Sequence, residues 1–122
     1  MIRGVRGATT VEHDEPELIH EATRELLQAM LTANGIEDFG AIASIFFTTT
    51  RDLTSTFPAE AARALGMDMV PLMCSSEIDV PNRTPRAIRI MLLLNTRKGQ
   101  SEIRHVYLNG ATALRPDLAS AQ

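Results

Sequence analysis

The chain has 122 residues, 12 basic against 15 acidic for a formal net charge of −3, and a mean hydropathy of −0.03. That length fits a single domain over 1–122 with a core of its own, but with enough surface that association with other copies would help it. The charge excludes a general electrostatic pull towards nucleic acid or anionic lipid, and 44% hydrophobic with 22% charged residues excludes wholesale disorder.

Eleven of the twelve basic residues are arginine and only Lys98 is lysine, which suits forked recognition of carboxylates and equally fits a genome-wide arginine bias. One cysteine, Cys74, leaves no intramolecular disulfide, and no Cys/His cluster has the spacing of a metal site. The N-terminus lacks the apolar core of an export signal. The longest run of large apolar residues, Ile90 to Leu94, is too short to span a bilayer. A cytoplasmic, reduced setting is the expectation, with no membrane and no nucleic-acid partner.

Ile2 to Val11 reads as a strand in which Gly4 and Gly7 bracket Val5 and Arg6. Glycine inside a strand marks a close approach of another backbone or a ligand. Arg6 is therefore either beside such an approach or an edge arginine in solvent. A helix follows, with Asp14 as N-cap, Pro16 in the first turn and Glu17 three residues after the cap. Leu18, Ala22, Leu26, Ala29 and Ala33 recur at helical spacing, and Gly35 ends it. His13 and His20 fall at or near this helix and read as surface residues.

Ala41 to Thr50 predicts a second strand, and Pro58 to Leu65 a short helix stopped by Gly66, with Phe57 just before it and Arg63 projecting from it. Val70 to Met73 predicts a brief strand, followed by Cys74, Ser75, Ser76 and Glu77. The central strand is Ala87 to Asn95. Ile88, Ile90, Leu92 and Leu94 occupy one face, and Ala87, Arg89, Met91 and Leu93 the other.

So apolar a strand predicts cover on both faces, and Arg89 breaks the pattern. A guanidinium out of water costs several kcal/mol unless it is paired, so it meets a protein carboxylate or a ligand; the alternative is a face left partly wet. Ile103 to Leu108 predicts a last strand, turned by Asn109-Gly110, and the tail from about residue 115 is expected to be mobile.

The order strand, helix, strand, short helix, short strand, strand, strand predicts an α+β fold: one mixed sheet with helices on one side. Too little chain remains to cover the other side, so subunits are expected to pack sheet against sheet around a symmetry axis. No nucleophile elbow, phosphate loop or dinucleotide fingerprint is present. Arg6, Arg63, Arg89 and Arg115, with Glu77, Tyr107 and Cys74, make a set suited to a small dicarboxylate. Cys74 reads as a small buried residue more readily than as a nucleophile.

Six stretches together carry a resemblance: RGVRGATT (3–10), DLTSTFPAEAAR (52–63), VPLMCSSEIDV (70–80), IRIML (88–92), IRHVYL (103–108) and LRPDL (114–118). In this order the chain resembles the trimeric, monofunctional bacterial chorismate mutases. The resemblance implies a homotrimer with a barrel-like core and an active site in each cleft between subunits. It implies the pericyclic rearrangement of chorismate to prephenate in aromatic amino-acid biosynthesis, with no cofactor and no covalent intermediate.

It also implies roles. Arg89 would donate to the ether oxygen, Arg6 and Tyr107 would hold the enolpyruvyl carboxylate, Glu77 would accept from the ring hydroxyl with Cys74 beside it, and Met73 would be among the substrate-binding residues. Phe57, Ala59 and Arg63 would come from the neighbouring subunit, and Leu114 and Arg115 from a tail that settles over the site. Glu60 stands where some family members have lysine, which removes a basic role there. Two other readings stay open: the trimeric enamine/imine deaminases, and a non-enzymatic sensor of an aromatic-pathway acid.

Overall fold

Strand β4, Ala87–Asn95, has the bounds its alternation predicts and lies at the centre of a five-stranded sheet. The computed structural model describes residues 1–114; the expectations for Arg115 and for a mobile tail fall outside them. The remaining elements are β1 (Ile2–Thr10), α1 (Pro16–Ala33), β2 (Ile42–Thr49), α2 (Ala59–Ala64), β3 (Leu72–Ser76) and β5 (Val106–Tyr107). The sheet order is β3-β2-β4-β1-β5. β4 runs antiparallel to β1 and β2, and the outer pairs β2/β3 and β1/β5 are parallel, so the sheet is mixed as expected.

Both helices cover one face. Ile90, Leu92 and Leu94 of β4 join Val5, Ile45 and Phe47 from the flanking strands, Leu26, Leu27 and Met30 of α1, and Ala59 and Ala62 of α2 in one core. A smaller cluster of Val11, Ile19, Ala22, Leu53 and Ile88 extends it towards the start of β4. Each large side chain fully buried here contributes on the order of 1.5–3 kcal/mol, which is what fixes the helices to this face. The alanines of α2 let it lie close, and Gly7 lets α1 do the same. A Cβ at Gly7 would stand 2.4 Å from Met30 Sδ and 3.1 Å from Leu26 Cδ1.

Among the described residues nothing covers the opposite face. Met73, Phe46 and Met91 lie across it 60%, 39% and 37% exposed. Both helices go to one side of β4, as expected, and within one subunit the described residues leave the other side open.

Five local expectations are corrected. The N-cap of α1 is Glu15, without a side-chain cap. Asp14 is drawn away to the loop after β2, accepting from the N–H groups of Thr54 and Ser55 at 3.1 Å and from the Thr54 hydroxyl at 3.0 Å. The buried stripe of α1 is Ile19, Ala22, Thr23, Leu26, Leu27 and Met30, while Ala33 is exposed, because the larger side chains remove more apolar area than the alanine line does.

β3 begins at Leu72 and not at Val70. Pro71 has no N–H to give the ladder, although its carbonyl accepts from Ile45 N at 3.0 Å. β5 shrinks to two residues because side chains replace ladder bonds before it. Asn34 holds both the N–H and the carbonyl of Arg104, and His105 accepts from Arg6 N. Asn109-Gly110 opens a 3-10 helix, Asn109–Leu114, in place of a simple turn, with Gly110 N donating to Thr10 Oγ1 at 2.9 Å.

Candidate active site

Period-2 alternation and the strand register decide which side chains share the open face. Read across the sheet, Ser75, Thr48, Arg89, Ala8 and Tyr107 stand in one transverse row, one from each strand from β3 to β5. The next row holds Met73, Phe46, Met91 and Arg6. A polar row therefore borders an apolar one on the face that the helices leave open.

Glu77 lies one residue past β3, its N–H donating to the Thr49 carbonyl at 2.9 Å. Its carboxylate turns to the centre of the polar row. Oε2 accepts from the Thr48 hydroxyl at 2.6 Å and lies 3.4 Å from Arg89 Nε. The two charged side chains are 15% and 29% exposed. The arginine thus meets a protein carboxylate, and it meets it loosely: 3.4 Å exceeds the ~2.7–2.9 Å of a charge-assisted hydrogen bond. Arg89 Nε makes no hydrogen bond among the described residues, and neither does the buried hydroxyl of Tyr107. Buried donors left unmade are costly, so this face is built for a polar occupant.

The start of β4 is locked in place three residues before Arg89. Asp52 accepts from the Thr50 hydroxyl at 2.5 Å and from Arg86 N at 2.9 Å, and Thr50 in turn accepts from Ala87 N at 3.0 Å. Burial pushes the Asp52 carboxyl up, but the Thr50 hydroxyl, the Arg86 N–H and the charge of Arg83 outweigh it and hold the group below its ordinary value. On the other edge, Arg6 N donates to His105 Nδ1 at 2.9 Å. Partial burial, and then the Arg6 charge, keep that imidazole below its ordinary pKa.

The residues singled out from sequence fall into two groups. Arg6, Arg89, Glu77, Tyr107 and Met73 share the open face or its edge. Phe57, Ala59 and Arg63 belong to the helix layer: Phe57 is 67% exposed, Arg63 is exposed, and Ala59 is 4% exposed and packed in the core. Cys74 alternates to the helix side of β3 and packs against the core, so within one chain it stands with Phe57 and not with Glu77. Phe57 and Cys74 line a cavity of about 350 Å3 together with Thr49, Leu53 and Ser76.

Leu114 ends the last 3-10 helix, half-buried, and Arg115 lies outside the described residues. Glu60 faces His20, Oε1 to Nε2 at 3.2 Å, which ties α2 to α1 and gives the acid at this position a local partner. Among the described residues no group of three or more His, Cys, Asp or Glu could hold a metal ion.

Thr48 is the residue that sequence reading missed. Nothing in the run Thr48-Thr49-Thr50 distinguishes one hydroxyl from the next. Only the register, Thr48 opposite Arg89 and beside Ser75, puts this one on Glu77.

Residues 2–118 match the family model described as chorismate mutase type I. The chain is 58% identical over 122 residues to chorismate mutase AroH of Thermus thermophilus, covering 100% of both sequences. It is 42% identical over 120 residues to chorismate mutase AroH of Bacillus subtilis (strain 168), covering 98% of this chain and 94% of that protein. Among solved structures, chorismate mutase from Clostridium thermocellum Cth-682 superposes with a TM-score of 0.88 at 46% identity, covering 90% of this chain and 97% of that one.

Proposed function

The chain belongs to the type I chorismate mutase family, and from that premise we propose that its open sheet face binds chorismate at subunit boundaries and rearranges it to prephenate. The activity is that of an isomerase in aromatic amino-acid biosynthesis. One C–O bond breaks and one C–C bond forms within the same molecule, so no proton need be moved and no covalent enzyme intermediate arises. The protein's task is to hold a flexible dicarboxylate in its compact reactive conformer and to stabilise the charge that separates as the ether bond breaks.

The observation that carries this reading is Arg89, a guanidinium on the central strand, held beside Glu77 but not closed onto it. Arg89 donates to the ether oxygen, where negative charge grows, and its looseness from Glu77 leaves a donor available. Glu77 accepts from the ring hydroxyl and faces the side of the ring that becomes positive. Arg6 and the Tyr107 hydroxyl, which makes no hydrogen bond among the described residues, grip the enolpyruvyl carboxylate from the β1/β5 edge. These donors are carried on strands, so little reorganisation is needed when charge develops.

We propose further that residues 1–122 form one domain and that three copies associate. The support is the open face itself, where Phe46, Met73 and Met91 expose an apolar row beside the polar one. A neighbouring subunit then supplies Phe57, the backbone at Ala59, Arg63 and the Cys74 side of β3 as the far wall of the pocket, and the segment from Leu114 through Arg115 covers it. A cytoplasmic setting goes with the single free cysteine. No helix among the described residues is long and apolar enough to cross a membrane.

The experiment is loss of chorismate by ultraviolet absorbance with prephenate identified as product, alongside light scattering of the same sample. Turnover from a particle of three chains' mass is expected. A folded protein without turnover would refute the assignment, and an active monomer would refute the shared pocket.

A further inference from the structure

We infer that Thr48 is a positioning residue for the rearrangement, acting through Glu77 to keep the Arg89 guanidinium open to substrate; this rests on the site reading given above. The Thr48 hydroxyl has one proton to give, and it gives it to Glu77 Oε2 at 2.6 Å, the same oxygen that lies 3.4 Å from Arg89 Nε. A carboxylate this close to a guanidinium in a largely buried setting gains most by closing onto it, with two parallel hydrogen bonds at ~2.7–2.9 Å. It does not close. The backbone of Glu77 is held by Thr49 O, and its carboxylate by Thr48, both on β2, so strand pairing sets where the acid stands.

The consequence is chemical. A closed Arg89–Glu77 pair would spend the donor needed at the ether oxygen and the acceptor needed at the ring hydroxyl on each other. With Oε2 parked on Thr48, the guanidinium retains a donor and the second carboxylate oxygen remains available. Thr48 does not touch the reacting atoms in this scheme. It fixes the separation of the two groups that do, and the β2/β4 register, Thr48 directly opposite Arg89, makes that separation a property of the sheet.

The test compares Thr48→Val, Thr48→Ser, Glu77→Gln and the double variant Thr48→Val/Glu77→Gln on the full chain, reading kcat and KM separately. Valine preserves shape and strand preference while removing the hydroxyl. Thr48→Val should lower kcat by at least roughly tenfold, the scale of one hydrogen bond to a charged group, with a smaller change in KM. Thr48→Ser should recover kcat to within about threefold of wild type, and this also separates loss of the hydroxyl from misfolding.

In the Glu77→Gln background the valine substitution should cost much less than it does alone, because its effect runs through the carboxylate. A Thr48→Val enzyme within twofold of wild type, or an equal loss from valine with and without Glu77, would overturn the inference while Glu77→Gln stays impaired. Wild-type turnover from Glu77→Gln would instead overturn the site reading beneath it.

Discussion

The backbone N–H of Arg6 donates to Nδ1 of His105 at 2.9 Å, joining by one side chain two positions 99 residues apart in sequence. The bond requires Nδ1 to carry no proton. It replaces a ladder bond at the point where β5 has not yet begun, so the spacing between Arg6 on β1 and Tyr107 on β5 depends on a neutral imidazole. Two groups assigned to the substrate carboxylate are thereby set by a third that does not touch it.

Stability should therefore depend on pH near neutrality. Partial burial and the Arg6 charge lower the pKa of His105 in the folded chain below 6.5, so the unfolded chain takes up the proton first. The associated stability is present above the unfolded value and is lost as pH falls through the folded one. The urea midpoint should decline as pH falls below about 6.5, the ordinary histidine value, and His105→Gln should flatten that decline. A midpoint as pH-dependent in the variant as in wild type would assign the slope elsewhere. Asp14 and Asp52, both held below 3.8, should add a separate loss only as pH falls below that value.

Arg89→Ala should lower kcat by at least roughly 10²- to 10³-fold, the cost of removing one donor aimed at developing charge. Arg89→Lys should fall between, keeping the charge but losing the fork that reaches Glu77 and substrate together. Since no proton moves in the chemical step, kcat of the wild type should stay nearly flat across neutral pH. Near-wild-type kcat in the alanine variant, or a bell centred at neutrality, would count against the mechanism.

If the pocket is shared, Arg89→Ala and Arg63→Ala chains should each be impaired alone yet complement when mixed. Arg89 stands on the open sheet face and Arg63 on the exposed side of the helix layer, so a working site takes them from different chains. After co-refolding in equal amounts, about a quarter of the sites should hold both arginines by random assortment. Activity no greater than the mean of the separate variants would place both residues in one subunit's pocket or remove Arg63 from it.

Gly7→Ala should destabilise the fold by about 1–3 kcal/mol, because the added methyl meets Met30 Sδ in a packed core. The double variant Gly7→Ala/Met30→Ala should lose less than the sum of the single losses, since the second substitution removes the clash of the first. Simple additivity in chemical denaturation would show that α1 relaxes away from β1 on its own.

Much of the fold was legible because its signals are local. The alternation of Ala87–Asn95 gave β4 its bounds, the helical period and Gly35 placed α1, and the run of elements with too little chain to cover a second sheet face predicted one-sided helices. Arg89 as a misfit on an apolar strand was visible as a demand for an anion before any partner was known. The sequence by itself thus determined the elements, the layer they form and the charged group that needs an answer.

Tertiary structure alone decided what answers it. Which of three consecutive threonines reaches Glu77, that Asp14 leaves its helix to hold Thr54 and Ser55, that His105 and not a ladder bond takes Arg6 N, and that Cys74 turns to the Phe57 side all depend on register and on partners 27 to 99 residues away. A one-residue change of register reverses every face of a strand, and no pattern within a single strand encodes its neighbour's alignment.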